Sequence, residues 1–276
     1  MSVFKAAAVQ MRSGVSVDRN VEDASRLVRE AAASGASYVL TPEMTNILCR
    51  DRAQLLASVS PEEGNPELAR FQALAKELGI HLHIGSMAVL VGPDAVANRA
   101  YLIGPDGAVV ARYDKIHMFD VNLAGGETYR ESALYRPGSE AVVASLPFAR
   151  LGLSVCYDVR FPGLFQALVL GGAEVIAIPA AFTRTTGEAH WHVLLRARAI
   201  ETGSFVVSAA QGGHHEDGRD TYGHSMIVDP WGRVLAEAGT DPGVIVAEID
   251  PALADDARAR IPVLANRRAF TAPALA

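Results

Sequence analysis

Short apolar runs alternate with amphipathic stretches along the whole chain. "VFKAAAVQM" and "SYVLTPE" have the length and composition of buried strands. Between them Val21, Ala24, Ser25, Val28, Ala31 and Ala32 recur at helical spacing over residues 18–33, up to Gly35. Residues 65–78 repeat the amphipathic pattern and stop at Gly79, and "IHLHIGSMAV" then reads as a strand. "ANRAYLIGPDGAVVARYDK" predicts a hairpin turning at "GPDG", with Lys115 just past its second strand. Residues 116–137, including "AGGETYRES", read as a long loop.

The second half follows the same rhythm. "LGLSVC" is a strand, residues 161–170 a helix, "AEVIAIPA" a strand, residues 189–201 a helix and "SFVVSAAQ" a strand. "HSMIVDPWGRVLAE" predicts a second hairpin and "GVIVAEID" a last strand. The alternation gives an α/β chain in which helices cover sheet. Each half ends in a strand–"PDG/PWG"–strand hairpin, a hint of two similar sheets packed together. No stretch rich in Pro, Gly or Ser divides residues 1–276, so one domain is expected.

Composition narrows the function. Half of the residues are hydrophobic, a fifth are charged and the net charge is −6. That balance suits a folded soluble chain and opposes general affinity for nucleic acid or anionic membrane. No apolar run reaches the roughly 18 residues of a membrane helix, and "MSVFKAAAVQ" does not resemble a signal peptide. Two cysteines, Cys49 and Cys156, do not make a disulfide framework, so a reducing, cytoplasmic setting is expected.

Three polar residues stand at or beyond predicted strand ends: Glu43, Lys115 and Cys156. Such positions line the usual crevice of an α/β fold. A thiol needs a base to become a nucleophile; Glu43 could accept its proton, and Lys115 could steady a thiolate and then an oxyanion. The backbone N–H of Tyr157 would be a second oxyanion donor. Taken singly, each has an ordinary reading: an inert buried thiol, a solvated acid, and a lysine blunting a sheet edge. The histidines give no metal pattern, for His81 and His83 lack a third ligand and His190 and His192 diverge on a helix. His214, His215 and His224 lack the spacing of zinc sites. "YGHSMI" lacks G-x-S-x-G, nothing local selects a histidine for Cys156, and there is no phosphate loop. No cofactor and no metal are expected.

"LTPEMTN", "YDKIHMFDV", "RESALYRPG", "CYDVRFPGLFQAL", "PAAFTRTTGEAHWHVLLRARAIE", "AAQGGHHE", "YGHSMIVDPWG" and "RIPVLANRR" occur in order. Together they closely resemble the nitrilase (carbon–nitrogen hydrolase) superfamily, in particular its Nit branch, over essentially the whole chain. The resemblance implies a four-layer α-β-β-α sandwich and a Glu–Lys–Cys triad on Glu43, Lys115 and Cys156. It also implies a second glutamate on Glu131, which would hydrogen-bond the lysine and help place the substrate; on sequence alone Glu127 competes for that role. Ala181, Phe182 and Thr183, with Ala180, would border the acyl pocket. Arg184 and Arg160 are candidates for a substrate carboxylate, with Arg160 expected instead to pair with Asp158.

The implied reaction is hydrolysis of a small-molecule, non-peptide amide to ammonia and a carboxylate. The likeness is greatest to deaminated glutathione amidases. The alternatives are an omega-amidase acting on α-ketoglutaramate, another amide or carbamoyl hydrolase, or a non-catalytic binding protein that keeps the fold. A homodimer or higher homo-oligomer is implied, through helices after the cysteine and near "HWHVLLRARAIE", with the segment from about 251 as an arm or interface extension. Gly163 departs from the glutamate common at its position in relatives.

Overall fold

Successive residues of the first strand, Phe4–Gln10 (β1), belong to different cores. Phe4, Ala6 and Ala8 pack into one apolar cluster, Ala7 and Val9 into another, as the two-residue period of a strand requires. The division recurs in Tyr38–Leu40 (β2), where Val39 parts from Tyr38 and Leu40. A sheet apolar on both faces must be covered on both sides. The computed structural model of the chain describes residues 2–123, 126 and 128–272.

In the first sheet β1, β2 and His81–Gly92 (β3) run parallel. Ala95–Ile103 (β4) and Val109–Asp114 (β5) continue it antiparallel, and Gly243–Ile249 (β17) closes the other side antiparallel to β1. The second sheet repeats the scheme. Arg150–Leu153 (β10), Val175–Ala177 (β11) and Phe205–Ser208 (β12) are parallel. Met226–Val228 (β15) and Val234–Glu237 (β16) follow antiparallel, with Val142–Ser145 (β9) antiparallel against β10. The sheets share one arrangement of strand directions, three parallel strands with antiparallel strands on either side, so the two-sheet hint in the sequence is correct.

Helices Val17–Ala33 (α1) and Pro66–Leu78 (α3) cover the outer face of the first sheet through Val21, Leu27, Phe71 and Leu74. Pro162–Leu170 (α4) and Arg184–Thr202 (α5) cover the second through Phe165, Leu168, Trp191 and Leu195. The inner faces meet each other. The result is an α-β-β-α sandwich.

Several elements escape the periodicity. Arg52–Ser58 (α2) buries only Leu55, and Ala252–Arg260 (α6) buries only Ala254 and Ala257; neither carries a strong apolar stripe. The expected loop at 116–137 holds Asp120–Asn122 (β6) paired with Thr128–Arg130 (β7), then Tyr135–Arg136 (β8) beside β4. Gly212–His214 (β13) and Asp220–Tyr222 (β14) form another short hairpin. Helix α5 begins before residue 189, because the Thr183 side chain accepts from Thr186 N and caps the polar "RTTGE" turn.

Candidate active site

Glu43 lies in a tight turn beyond β2. Thr45 N donates to Ser86 O at 2.9 Å, Ser86 N to Pro42 O at 3.2 Å and Met44 N to Ser86 Oγ at 3.0 Å. Gln211 Nε2 donates to Glu43 O at 3.0 Å from the far side. The turn presses so closely on β3 that only glycine fits at position 85. A Cβ there would stand 2.0 Å from Thr41 O and 2.3 Å from Pro179 Cβ.

Cys156 opens a 3-10 turn, Cys156–Arg160, directly beyond β10. Its N–H donates to Pro179 O at 2.8 Å, and its φ of 51° is left-handed, a conformation uncommon outside glycine. Buried Asp158 fixes this turn. Its carboxylate accepts from Val155 N at 2.8 Å, Tyr113 Oη at 2.7 Å and His117 N at 3.1 Å, and pairs with His117 Nδ1 at 2.7 Å. Asp158 therefore binds Tyr113 and His117, and the expected pairing with Arg160 does not form. Tyr157 N, in the first turn, makes no hydrogen bond among the described residues and is an orphan donor of the kind left at helix starts.

Lys115 follows β5 and is buried, with 2% of its side chain exposed. Its Nζ donates to Glu43 Oε1 at 2.9 Å and to Glu131 Oε2 at 2.8 Å. Glu131 Oε2 also accepts from Phe119 N at 2.6 Å. Asn98 Nδ2, on β4, donates to Glu43 Oε1 at 2.8 Å and to Glu131 Oε1 at 3.1 Å. Glu43 Oε2 accepts from Ala181 N at 2.8 Å, and the Cys156 thiol lies near enough to the Glu43 carboxylate for each to shift the other's titration. Thus Glu43, Lys115, Cys156 and Glu131 meet in one polar cluster, and Asn98, fully buried beside Arg99 in a strand whose other residues are apolar or aromatic, joins it unforeseen. Glu127 lies outside the described residues.

Charge states follow from this packing. Burial alone would raise the Glu43 pKa, but the Lys115 charge, with the neighbouring Cys156 thiol and hydrogen bonds from Lys115 and Asn98, outweighs it and holds the group below its ordinary range. Burial opposes the Lys115 charge; the carboxylates of Glu131 and Glu43 prevail and raise its pKa well above the ordinary value. Burial and then the Glu43 charge push the Cys156 thiol well above its usual range, with Lys115 opposing. At neutral pH the trio rests as carboxylate, ammonium and thiol.

The cluster forms the floor of a cavity of about 480 Å³. Tyr157, Ala181, Phe182 and Thr183 line it, as do Thr186, Phe119, Tyr129 and Tyr135. Ala180 is instead buried in a bridge to Ala210. Arg184 points away, exposed and paired with Glu188 at 2.9 Å. Arg160 lies 5.0 Å over the Phe182 ring and 5.9 Å from that of Tyr157. Among the described residues no histidine lines the cavity. A carboxylate on a thiol, an adjacent ammonium and a free N–H can carry acyl transfer to sulfur.

A carbon–nitrogen hydrolase family model matches residues 5–259. The chain is 41% identical over 271 residues to the deaminated glutathione amidase of Synechocystis sp., covering 97% of this chain and 99% of that protein. It is 35% identical over 278 residues to the omega-amidase NIT2 of Mus musculus, covering 98% and 96%. Among solved structures, a mutant amidase from Nesterenkonia sp. AN1 carries the acetamide moiety of fluoroacetamide on its active-site cysteine. It aligns with a TM-score of 0.82 at 28% identity, over 96% of this chain and 94% of that one. On this evidence the chain is an amidase that belongs to the carbon–nitrogen hydrolase family.

Proposed function

We propose that this chain hydrolyses the amide of an α-keto acid, deaminated glutathione before α-ketoglutaramate, with Cys156 as nucleophile. The observation that carries the reading is the meeting of Glu43, Lys115 and Cys156 on one cavity floor, Lys115 Nζ being 2.9 Å from Glu43. Substrate choice rests on likeness to the named amidases and on the arginines that line the cavity, Arg50, Arg52, Arg130 and Arg219. Arg219 is paired with Asp217 at 2.6 Å and Arg130 is tied to Asn122 Oδ1 at 2.7 Å, whereas Arg50 and Arg52 form no ion pair among the described residues. Arg50 and Arg52 are the groups that would receive the substrate carboxylate; Arg160 and Arg184 stand outside the cavity lining. The leaving group differs between the two substrates. Deaminated glutathione loses the amine of a dipeptide, and ammonia leaves only from the simple ω-amide, so the shared product is the α-keto dicarboxylate.

In the first half-reaction Cys156 attacks the amide carbonyl as Glu43 takes its proton. Lys115 Nζ and Tyr157 N–H hold the oxyanion, which is where preorganised donors contribute most. Glu43 returns the proton to the leaving nitrogen, and the C–N bond breaks to leave a thioester. In the second half Glu43 removes a proton from water, which attacks the thioester; the acid leaves and the thiol is restored. Glu131 and Asn98 position the lysine and Glu43. Ala181, Phe182 and Thr183 border the acyl group.

The test compares α-ketoglutarate release from deaminated glutathione and from α-ketoglutaramate with turnover of a neutral amide. In at least one of Arg50→Met and Arg52→Met, KM for the keto acids should rise by about tenfold or more, the scale of a lost charged hydrogen bond, with the neutral amide unaffected. Equal effects on all three would refute the carboxylate assignment.

The same reading extends to assembly and setting. Exposed Leu170 on α4 and Val193 and Ile200 on α5 are apolar surface for a second copy, and the segment from 251, with Ile261 and Phe270 exposed, would extend that interface. Light scattering should give a multiple of 29.3 kDa; a monomer at micromolar concentration would contradict it. Among the described residues no helix is long and apolar enough to cross a membrane, and a free catalytic thiol suits a reducing, cytoplasmic compartment.

A further inference from the structure

Away from the cavity, three side chains distant in sequence converge on one point. His192 projects from α5, His224 precedes β15, and Glu237 ends β16. Glu237 Oε1 lies 2.8 Å from His192 Nε2 and 2.9 Å from His224 Nδ1. One ligand atom from each residue lies within 4.8 Å of the others. The proposed reaction uses none of the three.

The surroundings hold these groups in place. Trp191 Nε1 donates to His224 O at 2.8 Å, and His224 N donates to Gly239 O at 2.9 Å. The His224 ring stacks on Tyr222 at 4.3 Å, and the His192 ring meets it edge-on at 5.4 Å. His224 keeps a left-handed φ of 54°, which turns its side chain toward α5 rather than along the strand. The remaining ring nitrogens, His192 Nδ1 and His224 Nε2, carry no hydrogen bond among the described residues. Each imidazole can therefore move its proton to the outer nitrogen and offer a lone pair to the centre.

We propose that His192, His224 and Glu237 bind one divalent transition-metal cation of the zinc class, which ties α5 to the β15–β16 hairpin. Two imidazoles and a carboxylate are a borderline donor set suited to zinc, cobalt, nickel or copper, whereas magnesium and calcium require oxygen ligands. The cation replaces the two imidazole protons that now face Glu237, with no net loss of protons from neutral rings. Glu237 Oε1, already shared between the two rings, supplies the anionic ligand. Sequence spacing hides the site, because it exists only once the helix lies on the second sheet.

The experiment uses the untagged full-length chain carrying Cys156→Ala, so that the cavity thiol cannot compete, after removal of metals by chelator. Zinc alone, and cobalt alone as a spectroscopic probe, are titrated by calorimetry and visible absorption near neutral pH. One ion per chain is expected, with the cobalt band of a four- or five-coordinate site. His192→Ala and Glu237→Gln, each in the same background, should weaken binding at least tenfold while keeping the far-ultraviolet circular dichroism of the parent. Failure of the parent to bind one equivalent at submillimolar metal would overturn the proposal. So would unchanged affinity in both variants, which would put the ion elsewhere, for example at Cys49.

Discussion

Replacing Gly85 with alanine should damage catalysis more than stability, although residue 85 touches no substrate. The new Cβ would stand 2.0 Å from Thr41 O, 2.3 Å from Pro179 Cβ and 2.8 Å from Pro42 O. Restoring contact to about 3.4 Å requires Thr41 O and Pro179 Cβ to retreat by more than about 1 Å and Pro42 O by about 0.6 Å. Two of them are backbone oxygens of the segment leading to Glu43. The third belongs to the residue whose carbonyl accepts from Cys156 N at 2.8 Å. The substitution therefore pushes base and nucleophile apart. Overpacking of this kind costs about 1–3 kcal/mol of stability, and a 1 Å misplacement at a reacting centre costs about 100-fold in rate. Urea unfolding and kcat measured on one preparation separate the two effects. Gly163→Ala is the control, because a Cβ there meets nothing within 4 Å. It should leave kcat unchanged and raise stability by about 0.4–1 kcal/mol. A Gly85→Ala chain with kcat within threefold of the parent would refute the claim that this contact sets the geometry.

Two further outcomes follow from the charge states and the buried network. The Glu43 pKa lies below the ordinary value of about 4.3 and the Cys156 and Lys115 pKa values above about 8.5 and 10.4, so kcat/KM should be flat from about pH 5 to 8 with limbs outside that range; a limb centred near pH 6.5 would contradict the assignment. For stability, Glu43 contributes above its unfolded pKa and loses that contribution as pH falls through the lowered folded value, whereas Lys115 contributes below its unfolded pKa and loses it as pH rises through the raised one. Asp158→Asn turns an amide N–H₂ toward groups that now donate to a carboxylate, and should cost about 3 kcal/mol in urea unfolding while lowering kcat through the displaced Cys156 turn; parent stability would contradict the positioning role.

The strands were legible where both neighbours and faces are apolar. β1, β2 and β11 are runs that only a doubly covered sheet would bury, and the helix at 65–78 announces its own ends through Asn65 and Gly79, which cap it in the structure. α2, α6 and the short hairpins were not legible, since each buries too few residues to leave a period. At the site, Glu43, Lys115 and Cys156 share a position beyond strand ends that pattern alone could suggest, and resemblance made them specific. Asn98 was missed because its role depends on the register of β4 against the Glu43 turn. The Asp158 pairing was misassigned because a nearby arginine looks like a partner in sequence, whereas the fold brings Tyr113 and His117 closer. His192, His224 and Glu237 carry no local signal at all.

The central claim is that Cys156 becomes acylated while Glu43 and Lys115 manage the proton and the oxyanion. Acid-quenching the enzyme during turnover of deaminated glutathione and mapping its peptides by mass spectrometry tests this most directly. The peptide containing Cys156 should gain the mass of the α-ketoglutaryl group, and Cys156→Ala should lose both the adduct and α-ketoglutarate release. Turnover that persists in Cys156→Ala, or an adduct on another residue, would contradict the account.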